Sequence, residues 1–412
     1  MKNVLSLILF AAFSLPCPLY AQQDQDLEYS VLLFDTPTTL YTMRQSNENY
    51  LSAYRYGVRK INQAVPPIYS LLIQSNFQVF FLLHLTHNAA RQSILAGEGV
   101  GSTSVPHLIN KKWWPYIDGV RDADLQRLRD TKLPTYVRLH LGALESDYAL
   151  SLRTNSLLSW NREEVNVVRF EYMMRRWTTF VFYFAENLKE KGTSAEEANE
   201  LDRDITGDEV RGAIRHLHRP EMEFRRYTAY SDLTEEEKQL ARRVGRRSLI
   251  NLLDPTFWFQ NGFRMKSGNK VNFMLAYNMA PFGDFIDQHF WLMTRRLNAH
   301  VYLREYENRS TWFPAAGVTF ANVQPFSWMM FDATLHGWQQ PQNLDFNTAK
   351  RRYGGAVDVT LKFFDREFLK NENIYLSLNL GITAKTQGFL LEEVALGKHV
   401  GGRFGISVWL NK

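Results

Sequence analysis

His84 and His87 stand three residues apart at the end of an apolar stretch beginning near Ser70, and Arg91 and the run Gly97-Glu98-Gly99-Val100-Gly101 follow them. Imidazoles at helical spacing are the raw material of a zinc site. A zinc-peptidase helix carries two histidines at i and i+4, so that both face one metal, with a glutamate beside the first as general base toward metal-bound water. The register starting at His87 reads His87-Asn88-Ala89-Ala90-Arg91. The first ligand position is filled, but the base position holds an amide and the second ligand position a guanidinium. An amide takes no proton at neutral pH, and arginine stays protonated and cannot bind zinc. Further along, His140 and Glu145 could complete a ligand set.

These residues belong to a wider pattern. Leu85-Thr86-His87, Arg91-Gln92-Ser93-Ile94-Leu95, Gly99 to Pro106, Arg138-Leu139-His140 and Gly142-Ala143-Leu144-Glu145-Ser146-Asp147-Tyr148 together resemble an exported envelope-protein family of Bacteroidetes type. Its members carry an H-E-x-G-H helix and a downstream G-L-E-S-D glutamate, a layout similar to the gluzincin arrangement in which a later helix supplies a carboxylate ligand. The resemblance matches His87 to the first ligand and Glu145 to the third, while Asn88 and Arg91 depart from the base and the second ligand. It implies a pseudo-metallopeptidase with no catalytic residue, since Asn88 occupies the base position.

The residues leave two arrangements open. In the first, these polar side chains form a hydrogen-bonded network at the end of the helix. Arg91 then neutralises Glu145, filling with a salt bridge the place a cation would have held. Arg91, Glu145 and His140 become binding or structural groups, and Arg91→Ala destabilises the fold. In the second, His84 and His87, which share a helix face at i and i+3, join His140 or Glu145 around zinc, with Glu98 or Asp147 as base. Zinc is the one cofactor these side chains suggest.

The chain that must position them has 412 residues, 45% hydrophobic, ample for a large core. Lys2, the apolar run Val4 to Leu15 and Leu19-Tyr20-Ala21 read as a secretory signal over residues 1–21, which places the protein in the periplasm or outer membrane. Cys17, the single cysteine, lies in that segment, so the mature chain has no disulfide or thiolate site. The net charge of +5 is spread among acids, and an exported chain has little access to nucleic acid. Arg242-Arg243-Val244-Gly245-Arg246-Arg247 is the local exception, a solvated helix face or a contact for anionic headgroups.

Residues 22–254 read as a helical domain. Glu48 to Gln63 and Ile68 to Leu85 are its first helices, the second too polar at Gln74, Asn76 and Gln78 to cross a bilayer cleanly and better placed as a buried central helix. A short charged helix spans Arg121 to Asp130, and Trp113-Trp114-Pro115 lies in a loop. Phe170, Met173, Met174, Trp177, Phe180, Val181 and Phe184 recur at helical spacing as a core stripe, in a helix that Gly192 ends. Thr234 and Glu237 form a capping box, and Pro255 stops the helix that follows. Asp202-Arg203-Asp204-Ile205-Thr206-Gly207 opens like a calcium loop, but Glu209 and Ala213 break the pattern, which leaves a turn between helices.

From 255 to 412 the period becomes two. Val271, Phe273 and Leu275 alternate with Lys270, Asn272 and Ala276, and the pattern returns in Leu376, Leu378, Leu380 and Ile382 and in Phe404, Ile406, Val408 and Leu410. This predicts about eight antiparallel strands, near 256–265, 270–279, 285–294, 297–306, 311–322, 326–338, 353–364 and 373–384, with 399–410 as a ninth. The fold class expected is α+β, a helical bundle followed by a β-meander. The alternation fits a small outer-membrane barrel and equally a periplasmic sheet covered by helices. Trp409-Leu410-Asn411-Lys412 lacks the terminal aromatic residue of many outer-membrane barrels.

The function expected is a non-catalytic envelope protein with a binding or scaffolding role, its partner an envelope protein or outer-membrane lipid, inserted through the C-terminal domain. A metal-dependent hydrolase and a small pore are the alternatives. The pore is disfavoured because side chains fill an eight-stranded lumen.

Overall fold

The computed structural model describes residues 26–37, 40–105, 116–187, 196–258, 260–295, 297–365 and 374–410. The signal segment, Trp113 to Pro115 and Gly192 lie outside them. Strand β1 (Leu27–Asp35) comes first. It is followed by helices α1 (Met43–Ala64) and α2 (Pro67–Gly97), short strands β2 (Thr103–Val105) and β3 (Tyr116–Asp118), and α3 (Asp122–Thr131). Helices α4 (Leu133–Ser159), α5 (Val165–Phe184), α6 (Glu209–His218) and α7 (Glu235–Arg247) complete the helical part. Their starts have local causes: the Thr42 hydroxyl accepts from Gln45 N, Asp208 accepts from Arg211 N, and the expected Thr234/Glu237 capping box is formed.

The remaining strands are β4 (Phe263–Arg264), β5 (Lys270–Ala280), β6 (Gly283–Met293), β7 (Asn298–Glu307), β8 (Trp312–Phe326), β9 (Met329–Pro341), β10 (Arg351–Asp365), β11 (Ile374–Lys385) and β12 (His399–Leu410). They make one antiparallel meander in the order β1-β12-β11-β10-β9-β8-β7-β6-β5-β4. The fold is α+β with a ten-stranded sheet. Two features depart from expectation. The sheet is not built from 255–412 alone, because β1 pairs with β12 from Leu27↔Leu410 to Asp35↔Arg403. Nor is it closed into a barrel: β1 and β4 are its two edges, β1 packs on α1, and β5 packs on the 3-10 turn Ser248–Leu252, which in turn packs on α5.

On several strands the exposed face is apolar and the buried face polar. On β11, Leu378, Leu380 and Ile382 are exposed while Ser377, Asn379 and Thr383 are buried. On β7, Val301 and Leu303 are exposed while Tyr302 and Arg304 are buried. Exposed Val400, Ile406 and Val408 continue the same face on β12, with Arg403 and Ser407 inward. Aromatic side chains bracket this band, Phe326, Trp328 and Phe363 stacked at one end and Trp312 and Tyr353 exposed at the other.

The first part of α2 shares this inversion, and α5 does so in part. The first part of α2 is not a buried central helix: Ile68, Leu72, Phe77, Phe81 and Leu85 are exposed, whereas Ser70, Gln74 and Gln78 are buried. The apolar stripe of α5 is core only in part, with Phe180 buried and Met173 packed on the main core cluster. Trp177 and Val181 are exposed, and the buried face carries Glu171, Arg175 and Arg176. In both helices polar residues bond to one another inside, which leaves Ile68, Leu72, Phe77, Phe81 and Leu85 of α2 and Trp177 and Val181 of α5 outside. The central helix is α4, in which every residue from Thr135 to Ser151 is buried. Gly142 lets it approach α2, since a Cβ there would lie 2.9 Å from Ile94 Cδ1 and 3.4 Å from Arg91 Cγ.

Candidate functional site

The motif helix feeds an internal chain of charged and polar groups. His87 Nε2 lies 2.8 Å from Asp147 Oδ2. Asp147 Oδ1 accepts from Arg175 Nη1 at 2.7 Å, and Arg175 Nε donates to Glu171 Oε1 at 2.7 Å. Tyr50 then donates to Glu171 and shares a contact with Gln78. Arg175, Asp147 and Glu171 have wholly buried side chains. A buried charge is tolerable only when partnered, and this chain, drawn from α1, α2, α4 and α5, partners every charge in it.

The expected Arg91–Glu145 salt bridge is not formed. Arg91 Nη1 donates to Thr206 Oγ1 at 2.9 Å and lies 3.5 Å from Glu209, so it ties α2 to the segment before α6. Glu145 is held by Arg138 through two bonds of 2.8 and 2.5 Å and accepts from Glu392 N at 2.9 Å. Arg138, seven residues upstream on α4, reaches Glu145 first, because the two lie two helical turns apart on one face. Asn88 donates to Ser104 Oγ, and exposed Lys132 pairs with Glu98 at 2.6 Å.

His140 stands apart from His87 and Glu145 in its contacts. Its Nδ1 donates to the Asp208 carbonyl at 3.3 Å, and its ring packs on Tyr136 and His216. Burial pushes the His140 imidazolium down to about 3 and that of His216 down to about 2, so both are neutral. Half-buried His84 completes the sequence set. The fold thus sends His87, His140 and Glu145 to three different partners. Among the described residues no group of three or more His, Cys, Asp or Glu side chains could hold a metal ion.

The former calcium-loop residues serve as a turn: Asp204 Oδ1 accepts from Ile205 N, and Asp208 caps α6. In the basic cluster, Arg243 and Arg247 reach Asp284 and Glu307, which fastens α7 to the ends of β6 and β7.

The site that sequence reasoning missed is the hollow between the concave face of the sheet and helices α1 and α4, a cavity of about 480 Å³. Its walls are charged and mostly paired: Arg403 with Asp358 at 2.7 Å, Arg153 with Glu392 at 2.8 Å, Lys362 with Glu28 at 2.8 Å. Across β6 and β7, His289 Nδ1 lies 2.9 Å from His300 Nε2, and Arg304 clamps Asp287 through two bonds of 2.6 Å. Tyr302 Oη and His336 Nδ1 are 2.9 Å apart, a contact that Gly317 on the intervening β8 leaves room for. The signal was present in the sequence as the polar half of each strand's alternation.

No protein-family model, curated protein or solved structure matches this chain. The residues and their geometry carry the functional reading.

Proposed function

We propose that the chain is a non-catalytic binding protein embedded in the outer membrane of the cell envelope, with the sheet and two helices facing lipid and the polar hollow serving as its binding site. The observation that carries this reading is the inverted polarity, apolar outside and charged inside. Exposed apolar faces of this extent are unfavourable in water, and in lipid the same arrangement is the stable one.

The dimensions agree. Ile68 to Leu85 spans about 26 Å of helix at 1.5 Å per residue, close to a hydrocarbon core of roughly 30 Å. Trp312 to Phe326 covers about 46 Å of strand, which a tilt near 45° reduces to about 33 Å along the membrane normal. The helix Pro67–Gly97 is long and apolar enough to cross a membrane. It and α5 lie beside the opening that the unclosed sheet leaves, so helices complete the lipid-facing wall in place of further strands.

A binding role fits better than conduction, because α4 fills the concave side and its Tyr148 donates to Asp287 of β6. It also fits better than hydrolysis, because His87, Asn88 and Arg91 are each engaged elsewhere. The test is to express the full chain in a bacterium with an outer membrane and wash the membranes with alkaline carbonate. Retention in the pellet and co-flotation with liposomes are expected. Release into the wash as folded soluble protein overturns the reading.

A further inference from the structure

At one part of the hollow the wall carries hydrogen-bond donors without acceptors. Arg55 donates through Nε to Glu163 at 2.8 Å and through Nη1 to the Glu28 carbonyl at 2.8 Å, but its Nη2 has no partner among the described residues. Trp160 Nε1 is unpartnered, as are Nε and Nη2 of Arg162, whose guanidinium lies 4.9 Å over the Trp160 ring. Arg55 and Trp160 are each only 5% exposed, and all three residues line the cavity. Four N–H groups, two of the three side chains cationic, are therefore withdrawn from solvent and unanswered. Such groups are costly unless an acceptor reaches them.

The carboxylates nearby are engaged with other donors. Glu28 receives Lys362 on one oxygen and Ser407 on the other. Asp332 receives Lys362 at 3.0 Å and Asn322 N at 2.5 Å. Glu163 holds Arg55 and Arg59. Each of these carboxylates is held by other donors, and none is hydrogen-bonded to Nε or Nη2 of Arg162 or to Trp160 Nε1. The four unanswered groups are all donors, which a cation cannot use. An oxyanion offers several acceptor oxygens on one centre, and arginine matches that geometry through its planar fork.

We propose that Arg55, Trp160 and Arg162 form a binding site for a phosphate group, carried either by a free phosphate or by a lipid headgroup. The site deepens the binding role assigned to the hollow and rests on the membrane reading only for the lipid source. Arg162 supplies charge and two donors, Arg55 a third donor, and the Trp160 indole a fourth that fixes orientation. The cavity leaves space beyond the phosphate for the remainder of the molecule.

The experiment is calorimetric titration of the full-length mature chain in a nonionic maltoside detergent. Inorganic phosphate and a short-chain phosphatidylglycerol are the two probes, each run on the wild type, Arg162→Gln and Trp160→Phe. Saturable binding is expected, weakened roughly ten- to hundredfold by Arg162→Gln, the range for losing hydrogen bonds to a charged group, and about fivefold by Trp160→Phe. Binding of inorganic phosphate identifies a free oxyanion as ligand, whereas binding of the lipid alone identifies a headgroup. If Arg162→Gln fails to fold, as judged by circular dichroism, the milder Trp160→Phe decides. The proposal is overturned if the wild type binds neither probe, or if a folded variant binds as the wild type does. Because the titration needs no bilayer, loss of phosphate binding in a protein that remains in carbonate-washed membranes refutes this site and leaves the membrane reading standing.

Discussion

Replacing Leu380 by arginine separates lipid from water on the outer face of the sheet. Leu380 sits mid-strand on β11, opposite Leu361 of β10 and Phe404 of β12, and is 43% exposed. If that face met water, the substitution would be mild: the leucine is already half uncovered, the arginine stem would cover the same neighbours, and the head would be solvated, for a change within about 0.5 kcal/mol. If it meets lipid, an arginine at the bilayer midplane costs about 2–4 kcal/mol, falling to about 0–1 near the interfaces. Tyr353, at the end of β10 beside Arg351 and Arg352 and 62% exposed, is the interfacial control. The assay is urea unfolding of the vesicle-reconstituted protein, followed by tryptophan emission and extrapolated to zero denaturant. Leu380→Arg should be less stable than Tyr353→Arg by about 1–4 kcal/mol. Equal stabilities for the two variants, both close to wild type, would refute a lipid-facing sheet.

Four other outcomes follow from the interior. Asp147→Asn removes the carboxylate shared by His87 and Arg175; because Glu171 stays on Arg175, the loss should sit near the lower end of the 3–5 kcal/mol typical of a broken buried pair, and an unchanged thermal midpoint would contradict this. Gly142→Val should cost about 2 kcal/mol by forcing α4 away from Ile94 and Arg91, with Gly142→Ala milder, as read from the same melts. His140 and His216 are held neutral by burial, at about 3 and about 2 against an ordinary 6.5, so the unfolded chain binds more protons below pH 6.5 and stability falls as the pH drops from there toward 3. Each contributes a slope approaching about 1.4 kcal/mol per pH unit; Glu209, raised by burial, acts in the opposite sense above its ordinary range, and His216→Phe should flatten the net acid slope. Finally, zinc in the purified chain should be far below one per molecule and the same in His87→Ala, as measured by plasma mass spectrometry; a stoichiometric ion lost in that variant would restore the hydrolase alternative.

The sequence by itself determined the strands from β5 onward and several helix starts. Period-two alternation located β5 to β12 within a few residues, because a strand half-buried on either side leaves the same pattern. Thr234 and Glu237 marked the start of α7 because a cap is made by residues three apart. It did not decide which way an amphipathic helix turns. The stripe on α5 and the apolar run of α2 said which residues share a face, but whether that face points inward depends on the solvent outside and the polar partners inside. The partners of those buried polar groups come from distant parts of the chain: Asp147 for His87, Glu171 for Tyr50, Thr206 for Arg91. For the same reason the pairing of β1 with β12, the Arg138–Glu145 bridge that displaced the expected one, and the hollow with its unanswered donors were decided only by the tertiary structure. Spacing along the chain fixes contacts within an element, whereas a buried charge takes whichever partner the packing of several elements brings within hydrogen-bonding distance.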